Sequence, residues 1–140
     1  MELNAITTRD RWGMVPLRLT VGLIFLMHGG QKLFVFGIPG TADIMGKIGI
    51  PLPTLAAAIV ITAECVGGLG ILTGLFARWA GAILAIDMTV AIFAARLNGG
   101  FFSPYGYEFE LALLGACLTV AALGAGGASM DDFLQRQRRD

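Results

Sequence analysis

This sequence predicts an all-α protein, a four-helix transmembrane bundle with both termini in the cytoplasm, and three observations carry that reading. Of the 140 residues, 56% are hydrophobic and only 14% charged, and a mean hydropathy of +0.74 is too apolar for a water-soluble domain of this size. Apolar runs of roughly 20 residues, the length a helix needs to cross about 30 Å of hydrocarbon, occur four times. The arginines collect on the side to which both chain ends return.

The chain opens with MELNAITTRDRWG, mixed polar residues ahead of a run, about 15–34, that has the length of a true span and no small-residue cleavage site. It is expected to stay in place as the first helix. The connection that follows carries Gly37, Pro39, Gly40, Pro51 and Pro53 around TADIMGKIGI. It reads either as a short interfacial or re-entrant helix capped by Thr41 or as an ordinary surface loop.

The second run, about 54–74, passes through GLFARWAG into the third, about 78–97, leaving room only for a tight turn. GGFFSPYGYE then places aromatics at a membrane boundary, the position of an interfacial belt. The fourth run is about 107–124. A tail of about 127–140 ends in SMDDFLQRQRRD, where Ser129 and Asp132 have capping spacing. This segment is either a short helix resting on anionic headgroups or a solvated tail. With no internal repeat and no second domain, the whole chain 1–140 reads as one membrane domain.

Direction follows from the positive charges. Arg9, Arg11, Arg78, Arg136, Arg138 and Arg139 fall on the terminal side, while Lys47 and Arg96 fall on the other with Lys32 close to it. An excess of Lys and Arg marks the cytoplasmic side. The chain is therefore expected to be multi-pass, N-in and C-in. Net charge is zero, so nothing electrostatic points to nucleic acid; the lipid bilayer is the expected surrounding.

Ionisable side chains inside a span are costly, about 2.5–3.5 kcal/mol for Asp, Lys or Arg at a helix centre, and should face protein rather than lipid. At about 1.5 Å and 100° per residue, His28, Gln31 and Lys32 share a stripe in the outer half of the first span. Arg18 lies near the inner end on roughly the same side. Glu64 comes at mid-depth in the second span on a face with Ala57, Gly67 and Gly68. Asp87 is near the middle of the third, with Ala80, Ala91 and Ala94 along its stripe.

In the fourth span Glu108 shares a face with Ala112, Gly115 and Thr119, and Glu110 points roughly 200° away. Glu108 is expected inside, with Glu110 paired to a loop cation or leaning to the interface. Small residues allow close helix approach, so Gly29, Gly67, Gly68 and Gly115 are expected to pack helices. The predicted polar pocket is His28, Lys32, Glu64, Asp87, Arg96 and Glu108. Such a cluster serves either as a functional pocket or as a fixer of helix register.

One histidine and two cysteines, Cys65 and Cys117, in neither CxxC nor metal-ligand spacing, give no metal site. The cysteines are expected to be free buried thiols. GGLGILTG lacks the strand and helix context of a dinucleotide loop, so no cofactor is evident from the residues themselves.

Four stretches in order, GLIFLMHGGQKLF, AECVGGLGILTGLFARWAG, GGFFSPYGYEFE and GAGGASMDDFL, resemble the DoxX family of small membrane proteins over nearly the whole chain, about 17–134. The resemblance implies a four-helix integral membrane protein of a bacterial or archaeal cytoplasmic (inner) membrane, linked to sulfur oxidation, quinone reduction or oxidative stress. It carries over to His28, Gly29, Lys32, Glu64, Gly67, Gly68 and Glu108. Where this chain has Asp87, the family pattern has a histidine or another polar residue.

What the resemblance implies is a membrane subunit or accessory factor of a redox complex, with quinone as the ligand to expect and other subunits as partners. The sequence holds no Fe–S pattern or dinucleotide fingerprint, so autonomous enzyme activity is not expected. Two other classes compete. One is a proton-coupled or small-molecule carrier, which with so few helices would act as a homo-oligomer; the other is a non-catalytic membrane scaffold.

Overall fold

The computed structural model describes residues 8–138, with side chains from residue 11 onward. Two arginines counted for orientation, Arg9 by its side chain and Arg139, lie outside these, as does the tail's final residue. All regular structure among the described residues is helical: α1 (Thr8–Gln31), α2 (Gly37–Lys47), α3 (Pro53–Thr73), α4 (Ala77–Ala91), α5 (Glu108–Leu123) and α6 (Met130–Gln137). Widened π turns, Lys32–Phe36 and Ile92–Arg96, extend α1 and α4.

Three helical stretches, Arg11–Lys47, Pro53–Thr73 and Ala77–Gly99, are long and apolar enough to cross a bilayer. Helix α5 has 16 residues, about 24 Å at 1.5 Å each. Its start at Glu108 follows the aromatic segment, as expected. The connection after the first span is helix rather than loop. Gly37, at φ 67°, redirects the chain so that α2 packs against α3. Thr41 does not cap this helix: it is buried within it, and its hydroxyl donates to the Lys32 carbonyl at 3.4 Å.

Helix α3 packs along both α1 and α4, and α4 along α5. The α1–α3 pair is close because glycines face each other's backbone. A Cβ at Gly22 would lie 2.6 Å from the Leu72 nitrogen, one at Gly68 2.7 Å from the Leu26 nitrogen, and one at Gly29 2.8 Å from the Cys65 nitrogen. The α4–α5 crossing uses Gly81, whose added Cβ would meet the Cys117 carbonyl at 2.8 Å.

Phe25, Ile71, Leu84, Cys117 and Val120 are fully buried where the helices meet. Around them Leu23, Met27, Val66, Ile86, Phe93 and Leu118 point outward. So continuous an apolar exterior suits lipid and not water.

At the end holding the α3–α4 turn, the C-terminal segment ties the helices together. Ser129 caps α6, its hydroxyl accepting from the Asp132 amide at 3.2 Å. The Asp131 carboxylate accepts from the Phe76 and Ala77 amides at 2.9 and 3.2 Å, so the start of α4 is capped from another element. Asp132 pairs with Arg11 and, at 2.9 Å, with Arg136. Arg18, only 4% exposed, donates to the Ala128 carbonyl. Arg78 donates to the Ala121 and Ala122 carbonyls at the end of α5, satisfying acceptors that a helix terminus leaves open.

Candidate functional site

The close approach at Gly29 sets the first contact of the site. A Cβ there would stand 3.0 Å from the Glu64 Cβ, so the missing side chain lets α1 lie directly against that glutamate. Three residues later Lys32 reaches across, and its ammonium donates to both Glu64 oxygens at 2.8 and 2.6 Å. Glu64 is 3% exposed. A carboxylate this deep needs its charge matched, and Lys32 matches it.

On α5 the interior position belongs to Glu110 rather than Glu108. Glu110 is 8% exposed and accepts from the Arg96 Nε at 2.9 Å. Glu108 instead turns back to the preceding segment and accepts from the Ser103 amide at 2.7 Å. On the face expected inside, Ala112 and Gly115 are exposed and Glu108 and Thr119 only partly buried, and a Cβ at Gly115 would meet nothing within 4 Å.

The buried face is Glu110, Leu113, Cys117 and Val120. The reason is packing: α4 supplies the small residue, Gly81, so α5 offers its bulkier stripe in return. The i, i+3, i+7, i+10 spacing of Glu110 with those three residues was the signal that would have found it.

Asp87 stands between these two ion pairs. It is partly buried, and its Oδ2 is shielded from solvent with no hydrogen-bond partner among the described residues. Lys32 is taken by Glu64 and Arg96 by Glu110, so no cation is left for Asp87. An unsatisfied buried oxygen costs about 1–3 kcal/mol, and the residue that carries it borders open space.

That space is a cavity of about 270 Å³ lined by His28, Lys32, Glu64, Asp87, Arg96 and Glu110 among apolar neighbours. Glu108 is not in its wall; the other five residues of the predicted pocket are. Gln31, expected on the same stripe, is exposed. Both π turns border the cavity, one opening with Lys32 and the other closing with Arg96. Such turns often occur at functional sites.

His28 sits at the mouth, exposed on its outer side, with its ring centroid 6.1 Å from that of Phe109. Its Nδ1 lies 2.9 Å from the Ile24 carbonyl, which can only accept, so Nδ1 carries a proton. The neutral ring then keeps Nε2 as a free acceptor.

Chemically, the cavity offers a carboxyl that can donate when protonated or accept when ionised, and an imidazole nitrogen that can exchange a proton. Among the described residues no three His, Cys, Asp or Glu side chains converge to hold a metal ion. Cys65 and Cys117 are free thiols.

No solved structure matches this chain. Among curated proteins it is 30% identical over 128 residues to the Bacillus subtilis protein named "Putative oxidoreductase CatD", covering 91% of each. It is 32% identical to Inner membrane protein YphA of Escherichia coli, over 81% of this chain and 84% of that one. It is also 32% identical to "Uncharacterized membrane protein Rv3486" of Mycobacterium tuberculosis, over 89% of this chain and 82% of that one. The DoxX family model matches residues 13–97. That match covers well over half of the sequence and includes the Lys32–Glu64 pair and Asp87, so this membrane protein belongs to the DoxX family.

Proposed function

We propose that this chain is a membrane subunit or accessory factor of a redox system of the sulfur, quinone or oxidative-stress kind, and that its cavity binds the head of a quinone. One observation carries the reading: Asp87 lines the cavity without an ion-pair partner among the described residues while Lys32–Glu64 and Arg96–Glu110 are paired there, and its Oδ2, like the Glu110 Oε2, is buried with no hydrogen-bond partner. A ligand that completes this site has to bring a hydrogen-bonding oxygen and little charge. A quinone ring carries such oxygens on opposite edges, one for Asp87 and one for His28. The oxidised carbonyl takes a hydrogen bond from protonated Asp87, and the reduced hydroxyl gives one to its carboxylate or to His28 Nε2.

The volume, about 270 Å³, is slightly below the range of roughly 300–1,000 Å³ for sites that hold a drug-sized molecule. It suits a single ring. A relative whose name reads oxidoreductase, matched nearly end to end, supports a redox setting. In this reading the chain binds the quinone and a partner protein delivers or takes the electrons.

The same reading places four spans in an inner membrane. Arg11, Arg78 and Arg136 lie at the end where the C-terminal segment closes over the helices, and positive-inside bias makes that end cytoplasmic.

The test is binding of a water-soluble tailless benzoquinone to the full chain in nanodiscs, followed by the ring's absorbance and by tryptophan quenching. Asp87→Leu should weaken binding by about fivefold, one hydrogen bond between neutral groups being worth about 0.5–1.5 kcal/mol. Saturable binding unchanged by Asp87→Leu and His28→Ala would defeat the proposal.

A further inference from the structure

Next to the cavity, the seam between α3 and α4 opens into a groove of about 800 Å³, lined by Ile59, Thr62 and Val66 of α3 and by Phe76, Trp79 and Ile83 of α4. The two spaces are consecutive along one face of α4. Ile83 in the groove and Asp87 in the cavity are an i, i+4 pair on one face.

Depth gives the groove its meaning. Asp87 is ten residues past the start of α4 at Ala77, about 15 Å along its axis, or half of a hydrocarbon core about 30 Å thick. From there the groove runs back along α4 to Phe76 and Trp79 at the helix's beginning. A polar site at mid-depth therefore continues into an apolar track leading to one membrane surface.

We propose that this groove holds the apolar chain of a small-headed membrane lipid whose head lies in the cavity against Asp87; the inference rests on the quinone-type reading above and extends it to the tail. A glycerophospholipid does not fit. Its charged head would have to leave the interface for mid-depth, at a cost of several kcal/mol, into a cavity with no spare cation. A helix from a second copy would cover the groove, but it would leave the Asp87 oxygen as it is. A neutral head on a single chain fills both spaces at once.

The test uses a benzoquinone carrying a long alkyl chain with a diazirine near its end, photolysed with the full chain in nanodiscs and mapped by mass spectrometry. Adducts should fall on Ile59, Thr62, Val66, Trp79 and Ile83 at least about fivefold more often than on the equally lipid-facing Leu23 and Leu118, the ratio that about 1 kcal/mol of preference gives. Asp87→Leu should abolish that excess. Thr62→Trp and Ile83→Trp, both filling the groove from exposed positions, should each lower it.

Adducts spread evenly over the lipid-facing surface, with Asp87-dependent binding of the tailless ring intact, would overturn the tail site alone. Loss of ring binding as well would overturn the reading beneath it. Intermolecular cross-linking of Thr62→Cys in the majority of chains would assign the groove to a second copy and also overturn the tail site.

Discussion

Lys32 of the first span holds both carboxylate oxygens of Glu64 in the second, at 2.8 and 2.6 Å, one turn above the point where Gly29 presses its backbone against the same helix. The pair answers why an ammonium and a carboxylate occur inside apolar runs: each lets the other stay there. It also occupies the ammonium on Glu64, while the Asp87 Oδ2 has no hydrogen-bond partner among the described residues.

Breaking this pair from one side should cost far more than removing it altogether. Glu64→Gln or Lys32→Met strands a buried charge and should lower stability by about 3–5 kcal/mol. The double replacement Lys32→Met with Glu64→Leu should recover most of the loss, because hydrophobic substitutes for a buried ion pair are often neutral. Thermal unfolding in detergent micelles reads both. Additive losses in the double variant would mean that the two residues do not interact.

Glycine positions separate in the same assay. Gly22→Ala and Gly68→Ala each set a methyl carbon against backbone, at 2.6 and 2.7 Å, and the overpacking should cost about 1–3 kcal/mol. Gly115→Ala points into open space and should fall within about 0.5 kcal/mol of the parent, as substitutions away from packed features do. Equal effects at all three would contradict the α1–α3 crossing described above.

What the sequence made legible follows the strength of each physical signal. Helical class and long apolar stretches were readable because hydrocarbon thickness imposes a length that composition cannot hide. Capping of α6 by Ser129 was readable because it depends on neighbours three residues away. The inward face of α5 was not. Small residues at 112, 115 and 119, on the face of Glu108, looked like a packing stripe, yet which helix supplies the small side is decided between partners, and Gly81 of α4 supplies it. Nor do the π turns that carry Lys32 and Arg96 to the cavity follow from spacing, since the prediction assumed an even 100° step. Arg18 was placed near the inner end, but its contact with the Ala128 carbonyl spans 110 positions.

The exchange of roles between the two glutamates of α5 gives a third test. Glu110→Gln removes the partner of Arg96 from a buried position and should destabilise the fold more than Glu108→Gln, which keeps an oxygen able to accept from the Ser103 amide. The same order should hold for tailless quinone binding, because only Glu110 borders the cavity. Denaturation midpoints and ring affinities for the two variants check it, and a larger loss from Glu108→Gln would restore the face that helical spacing first suggested.

Acid should loosen the C-terminal closure before it unfolds the helices. Burial opposes ionisation of Asp132, but hydrogen bonds and charge from Arg11 and Arg136 outweigh it and hold the carboxyl below its ordinary value. A carboxyl that ionises more readily in the folded chain contributes its stabilisation in full above the unfolded value of about 3.9, and loses it as pH falls through the lower, folded one. The closure should therefore be intact at pH 5 to 7 and weaken only below about 4. Hydrogen–deuterium exchange of the α6 amides, corrected for the intrinsic rate at each pH, should show protection falling there while α3 stays protected. Asp132→Asn should give the low-pH pattern at neutral pH, because the Arg11 pair is then absent throughout. If α6 protection does not change from pH 6 to pH 3, its hold on the helices comes from the Asp131 cap on α4 and not from Asp132.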